Sequence, residues 1–185
     1  LWDVKTGLPA KKSDVIEALE ICERAIARAS AEDLKHHPAL VHLHIHLLEM
    51  SNEPERAAAS ATALATMCPD AGHMNHMPRH VYVLCGEYQK AMVASSKAIA
   101  ANDRYLAYAG VLTPYTTACA HDLLLMMHAS MFMGRYKDSI AAANKLRGML
   151  TKEVLSVKGR PRFATSLEGY YSMTLPVMVR LGRWQ

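Results

Sequence analysis

The sequence has little aromatic substance, with two Phe and two Trp in 185 residues, although 51% of it is hydrophobic. Ala, Leu and Met supply most of that apolar content, which disfavours a β-sandwich built on aromatic and β-branched side chains and favours helices packed through small, flexible ones. There is no run of like charges: the formal charge of +4 and pI near 8.9 come from scattered Lys and Arg. That pattern argues against nucleic acid as a partner. No apolar stretch reaches the length of a membrane span and no signal peptide is visible, so no membrane association is expected. Cys22, Cys68, Cys85 and Cys119 form no C-x-x-C pair. A zinc ribbon and a thioredoxin-type motif are thereby excluded, while disulfides are permitted but not required. A Gly-rich phosphate loop, a Gly-x-Ser-x-Gly elbow and a His-Glu-x-x-His motif are all missing. The chain opens on Leu1, which leaves room for a leader or a larger N-terminal part, and both cytoplasmic and extracellular settings stay open.

What is present is helical phasing along almost the whole chain. Ser13 caps a segment to about residue 31, Pro38 opens one to about 50, and Pro54 opens one to about 67. Further segments follow at 73–85, 88–102, 115–133, 136–150 and 162–181. These eight helices are expected to form one all-α domain over 1–185, long enough to bury a core without metal or disulfide support.

Short phrases recur where paired helices turn: "SNEPERAA" at 51–58, "CGEYQKAM" at 85–92, "MGRYKDSI" at 133–140 and "LGRWQ" at 181–185. Asn52 to Gly86 is 34 residues, and Gly86 to Gly134 and Gly134 to Gly182 are 48 each. The first interval is the period of a tetratricopeptide helical hairpin, and the others read as that period with a longer connection, giving a solenoid of three to four repeats. Each phrase has a helix-ending residue, then an aromatic or Pro two positions on, then a small residue: Gly allows a left-handed helix end, the aromatic fills the space between paired helices, and the small residue permits close approach.

The histidines follow the same phase. His42 and His46 lie ten and six residues before Asn52; His76 and His80 lie ten and six before Gly86; His128 lies six before Gly134, with Leu124 at the ten position. His73 and His121 sit thirteen before their turns. Spacings of three, four and seven put each group on one helix face, and stacked repeats bring such faces side by side. Glu49 extends the first stripe with a carboxylate. An i, i+4 His pair completed by a neighbouring helix is a familiar ligand set for a transition ion, with copper, zinc or iron compatible with these donors. The candidate ligands are His42, His46, Glu49, His73, His76, His80, His121 and His128; the surplus over one site implies two ions, or imidazoles that orient ligands. Met74, Met77, Met126, Met127 and Met131 would add thioethers, although the Met-rich stretch at 123–134 reads mainly as core. A groove of neutral imidazoles would equally hydrogen-bond a peptide. His36, His37 and His44 read as surface or structure, and Cys85 as packing. Asp122 is a candidate to orient an imidazole, and Arg79 and Arg104 to reach a groove.

Taken together, "HPALVHLHIHLLEMS", "PERA", "PDAGHMNHMPRHVYVLCGEYQKA", "AIAANDRYL", "AHDLLLMMHASMFMGRY", "SLEGYY" and "LGRW" resemble a family of tetratricopeptide-like hypothetical proteins of bacteria and fungi. The resemblance covers nearly all of the chain from Pro38 and rests chiefly on the AGH-x-x-HMP-x-H phrase. It implies a tetratricopeptide-like fold and places the family's histidines on His42, His46, His73, His76, His80 and His121, and its glutamate on Glu49. The sequence departs from the family pattern at Leu124, where a second His would stand with His128 one turn on, and at Arg79, where Ser is usual. The resemblance names no activity. Two functions follow from the residues: a metal-binding protein, catalytic or not, and an interaction scaffold whose groove holds a peptide or protein. A chain ending at "LGRWQ", where a second helix should start, reads as uncapped, which would suit truncation or end-to-end self-association into an oligomer or filament.

Overall fold

The computed structural model describes residues 1–159 and 161–182, and its regular elements there are all helical. They are α1 (Val15–Arg28), α2 (Ala31–Lys35), α3 (Pro38–Leu48), a 3-10 turn (Pro54–Ala57) running into α4 (Ala58–Met67), α5 (Gly72–His76), α6 (Pro78–Leu84), α7 (Tyr88–Ala109), α8 (Tyr115–Phe132), α9 (Tyr136–Met149), α10 (Lys152–Leu155), α11 (Pro161–Ser172) and α12 (Thr174–Arg180). The all-α expectation therefore holds, and local chemistry moves several boundaries. The first helix stops at Arg28, and Ser30 starts α2 through a capping box: Asp33 N–H donates to Ser30 Oγ at 3.0 Å while Ser30 N–H donates to Asp33 Oδ2 at 3.1 Å. The expected 73–85 segment divides at Met77, because Pro78 has no N–H for a helical bond. By contrast, α7 continues beyond 102 until Gly110, whose φ of +76° ends it.

Two compact units divide the described chain, Leu1–Ala94 and Ser95 onward, with α7 beginning in one and ending in the other. In the first unit α3 packs on α1 and α4, and α4 packs on α6. Val15, Leu19, Val41, Ile45, Leu48, Leu64, Met77 and Val81 form its buried core. In the second, α8 runs along α9 and receives α11 and α12. Leu123, Met127, Leu146, Leu167 and Val177 are buried there. Each such side chain contributes about 1.5–3 kcal/mol by leaving water, so the cores, and not the short helices' own propensities, hold the elements in register.

The turn phrases have a common backbone chemistry. Gly86, Gly134 and Gly182 take φ of +76°, +66° and +67°. Glu87 N–H donates to Tyr82 O at 2.7 Å, and forty-eight residues on Arg135 N–H donates to Ser130 O at 2.8 Å. Gly86 N–H and Gly134 N–H bond Val83 O and Met131 O, which completes a Schellman turn in each place. The small residue that follows each turn, Ala57, Ala91 or Ser139, has no exposed surface. Arg183, Trp184 and Gln185 of the last phrase lie outside the described residues.

Candidate metal-binding site

The histidine-rich site of the first unit is built on α3, α5 and α6. Pro38 at the first position starts α3, and burial of Val41, Ile45 and Leu48 fixes which way the helix faces. His42, His46 and Glu49 then lie on a stripe turned about 100° from that core face. His44 falls on the buried side instead, with Nδ1 2.8 Å from Ser60 Oγ and Nε2 3.5 Å from Glu23 Oε1. It belongs to the packing, as its position off the stripe implied.

Opposite α3, the five-residue helix α5 is held by Asn75, which is 3% exposed and whose Nδ2 donates to Cys68 O, Pro69 O and Ala71 O at 3.0, 3.1 and 2.9 Å. This amide fastens the loop before α5 and fixes the flanking His73 and His76. Buried Met77 and Pro78 lead directly into α6 and carry His80.

The result is a row of imidazoles. His42 Nε2 and His73 Nε2 are 3.0 Å apart, and His76 Nε2 and His80 Nε2 are 2.7 Å apart. The His42 and His46 ring centroids are 4.6 Å apart, and His73 and His76 stack at 5.9 Å with their planes 20° apart. Glu49 lies between the two groups. Its Oε1 accepts from His46 Nδ1 at 2.8 Å, while Oε2 lies 3.1 Å from His80 Nδ1, an ion-pairing distance short of hydrogen-bond alignment. A carboxylate at Nδ1 keeps the proton on that nitrogen and leaves Nε2 of His46 as the lone-pair donor.

His42, His46 and His73 offer nitrogens that all lie within 4.8 Å of one another, a group that could hold a metal ion. With metal–nitrogen bonds of 2.0–2.1 Å, neighbouring ligands of a tetrahedral ion sit about 3.3 Å apart. The 3.0 Å His42–His73 pair is within about 0.3 Å of that spacing, and side-chain rotation of about 1.5 Å closes the third nitrogen onto it. The protonation state fits as well. Burial, followed by the neighbouring His46 and His73, lowers His42 to about 4. Burial, followed by Arg79, His73 and His46, lowers His76 to about 3. Both imidazoles are therefore neutral at pH 7 and keep a lone pair for a cation.

His121 and His128 are on α8 in the second unit. The His121 ring is 6.2 Å from that of Tyr170. His128 lines a cavity of about 460 Å³ with Met131, Phe132, Pro176, Val179 and Arg180, an apolar wall in place of a ligand cluster. Leu124 is buried in the core. Asp122 is also buried and accepts a hydrogen bond from Asn102 Nδ2 at 2.5 Å. Met77 and Met127 are core residues, with Met126 and Met131 packed against the core of the second unit. Arg79 is buried beside His76. His36 and His37 are exposed, His36 within 3.6 Å of Glu32. All four cysteines are free thiols; burial pushes Cys119 up to about 12, with Asp122 adding to it, and Cys85 is exposed, not packed. Its thiol is raised by partial burial and then by Glu55 and Glu87, the opposite of an activated nucleophile. Among the described residues no helix is long and apolar enough to cross a membrane. No family model, curated protein or solved structure matches the chain.

Proposed function

We propose that this protein binds a transition-metal ion through His42, His46 and His73, within a tetratricopeptide-like array of helical hairpins. The observation that carries the reading is the convergence of these nitrogens within 4.8 Å from two separate elements, α3 and α5. The array is supported by turn hydrogen bonds that recur at a 48-residue interval and by the resemblance of the histidine phrases to a tetratricopeptide-like family. Three imidazole ligands favour copper or zinc over harder cations such as Mg²⁺ and Ca²⁺. They also leave a fourth position for water or a substrate, the arrangement of a catalytic site more than of a closed structural one. A metal there would act as a Lewis acid and lower the pKa of a bound water. The chain's own part is to present lone pairs, to fix the His46 tautomer through Glu49, and to hold α5 through Asn75.

Chelator-stripped protein titrated with Zn²⁺ or Cu²⁺ against a competing indicator should show binding that disappears in a His42→Ala/His73→Ala variant. Equal affinity in parent and variant would remove the assignment. A second reading, a self-associating scaffold in which any metal is structural, draws on the exposed Phe132, Leu175 and Val179 of the second unit. Light scattering decides it: a monomer at high concentration excludes that version.

A further inference from the structure

We infer that the same histidine row takes a second ion, held by His76 and His80 beside the first, with Glu49 as the outer carboxylate that serves both sets. This rests on the metal-binding reading above and extends it. Five imidazoles follow one another in the row, yet one ion cannot use them all. Ligands of a single ion lie within about 4.2 Å of each other, twice the metal–nitrogen bond length. The nitrogens instead fall into two sets that could each hold an ion, one of His42, His46 and His73 and another that includes His76 and His80, with His42–His73 at 3.0 Å in the first and His76–His80 at 2.7 Å in the second. Each pair lies inside the spacing of adjacent ligands and needs to open by only about 0.3–0.6 Å to hold its own ion, and each imidazole has one Nε2 to give.

The carboxylate between them supports the same division. Glu49 Oε1 engages Nδ1 of His46 in the first set, and Glu49 Oε2 lies against Nδ1 of His80 in the second. One residue thus fixes His46 by a hydrogen bond and stands within ion-pairing range of His80, placed for the outer-sphere role by which carboxylates orient imidazole ligands. His80 and Glu49 have side chains 25% and 18% exposed, so water reaches this end of the row. With two nitrogens from this unit, the second ion keeps coordination positions for water or an oxygen-donor ligand.

The test uses the full chain, stripped of metal and titrated with Cu²⁺ in a glycine buffer that removes weakly held copper, with bound copper counted and its electron paramagnetic resonance recorded. The expected result is two equivalents per chain, with the signal of the second broadened by the first. His80→Asn, at the more exposed position, should bind one equivalent with the first affinity unchanged within about threefold, and without broadening. One equivalent in the parent, or two in a folded His80→Asn variant, overturns the second ion and leaves the first intact. No tightly bound copper in the parent overturns both.

Discussion

Acidifying the metal-free protein should reveal the burial of His76 and His42 as a loss of stability. His76 is 4% exposed, and its folded value of about 3 lies well below the ordinary 6.5. Between those values the unfolded chain takes up a proton that the folded chain refuses. Stability is therefore full above about pH 6.5, falls as pH drops, and levels off near the folded value. At about pH 5 the unfolded imidazole favours its protonated form about thirtyfold, which corresponds to about 2 kcal/mol. That figure hardly depends on whether the folded value is 3 or 4, since both lie below the test pH. His42, lowered to about 4, acts in the same direction. Because it is only partly buried, solvent screening reduces its share to about 1 kcal/mol. The two together remove about 3 kcal/mol from a typical stability of 5–15 kcal/mol. Urea denaturation of chelator-treated protein at about pH 7.5 and about pH 5 measures the difference. A His76→Gln variant should lose about 2 kcal/mol of that pH dependence. If parent and variant lose the same amount over this interval, His76 is not a buried neutral imidazole and the reasoning fails.

Other perturbations address the supporting structure. Glu49→Gln should weaken metal affinity about 10–100-fold in an indicator competition while leaving the helical content measured by circular dichroism unchanged. Asn75→Ala removes three backbone-directed hydrogen bonds from a buried amide, and should lower stability by about 1–3 kcal/mol in denaturant titration and loosen metal binding with it. Gly134→Ala meets no atom within 4 Å, so its cost is the left-handed φ of +66° alone. About 1–2 kcal/mol is expected by thermal or urea unfolding. Cys85 should react with a thiol reagent in the native protein, while buried Cys119 should react only after unfolding, as followed by absorbance.

The fold class and the histidine row were legible in the sequence for different reasons. Scarce aromatics and Pro-marked helix starts indicated helices, and the repeat phase put His42, His46, His73, His76 and His80 on faces that could meet. Pro78 announces the break at Met77 and the Ser30/Asp33 pair spells a capping box, yet the longer helices expected over 73–85 and from Ser13 to about 31 pass over both. Glu49 was harder. Its spacing from His46 is local, but its approach to His80 depends on how α3 and α6 pack, which no local pattern encodes. Asn75 was missed because an Asn between two histidines reads as filler until its amide is seen on three carbonyls. His128 shows the opposite error of emphasis. Seven residues after His121, it shares that helix face, yet neighbouring α12 surrounds it with apolar side chains and makes it part of a cavity wall.

X-ray absorption at the metal edge of the loaded protein tests the central claim most directly. The first equivalent of zinc or copper should show imidazole nitrogens at about 2.0–2.1 Å with the outer-ring scattering of three histidines, reduced by one imidazole in His73→Ala. A first shell without imidazole scattering, or one unaltered by His73→Ala, would contradict the account.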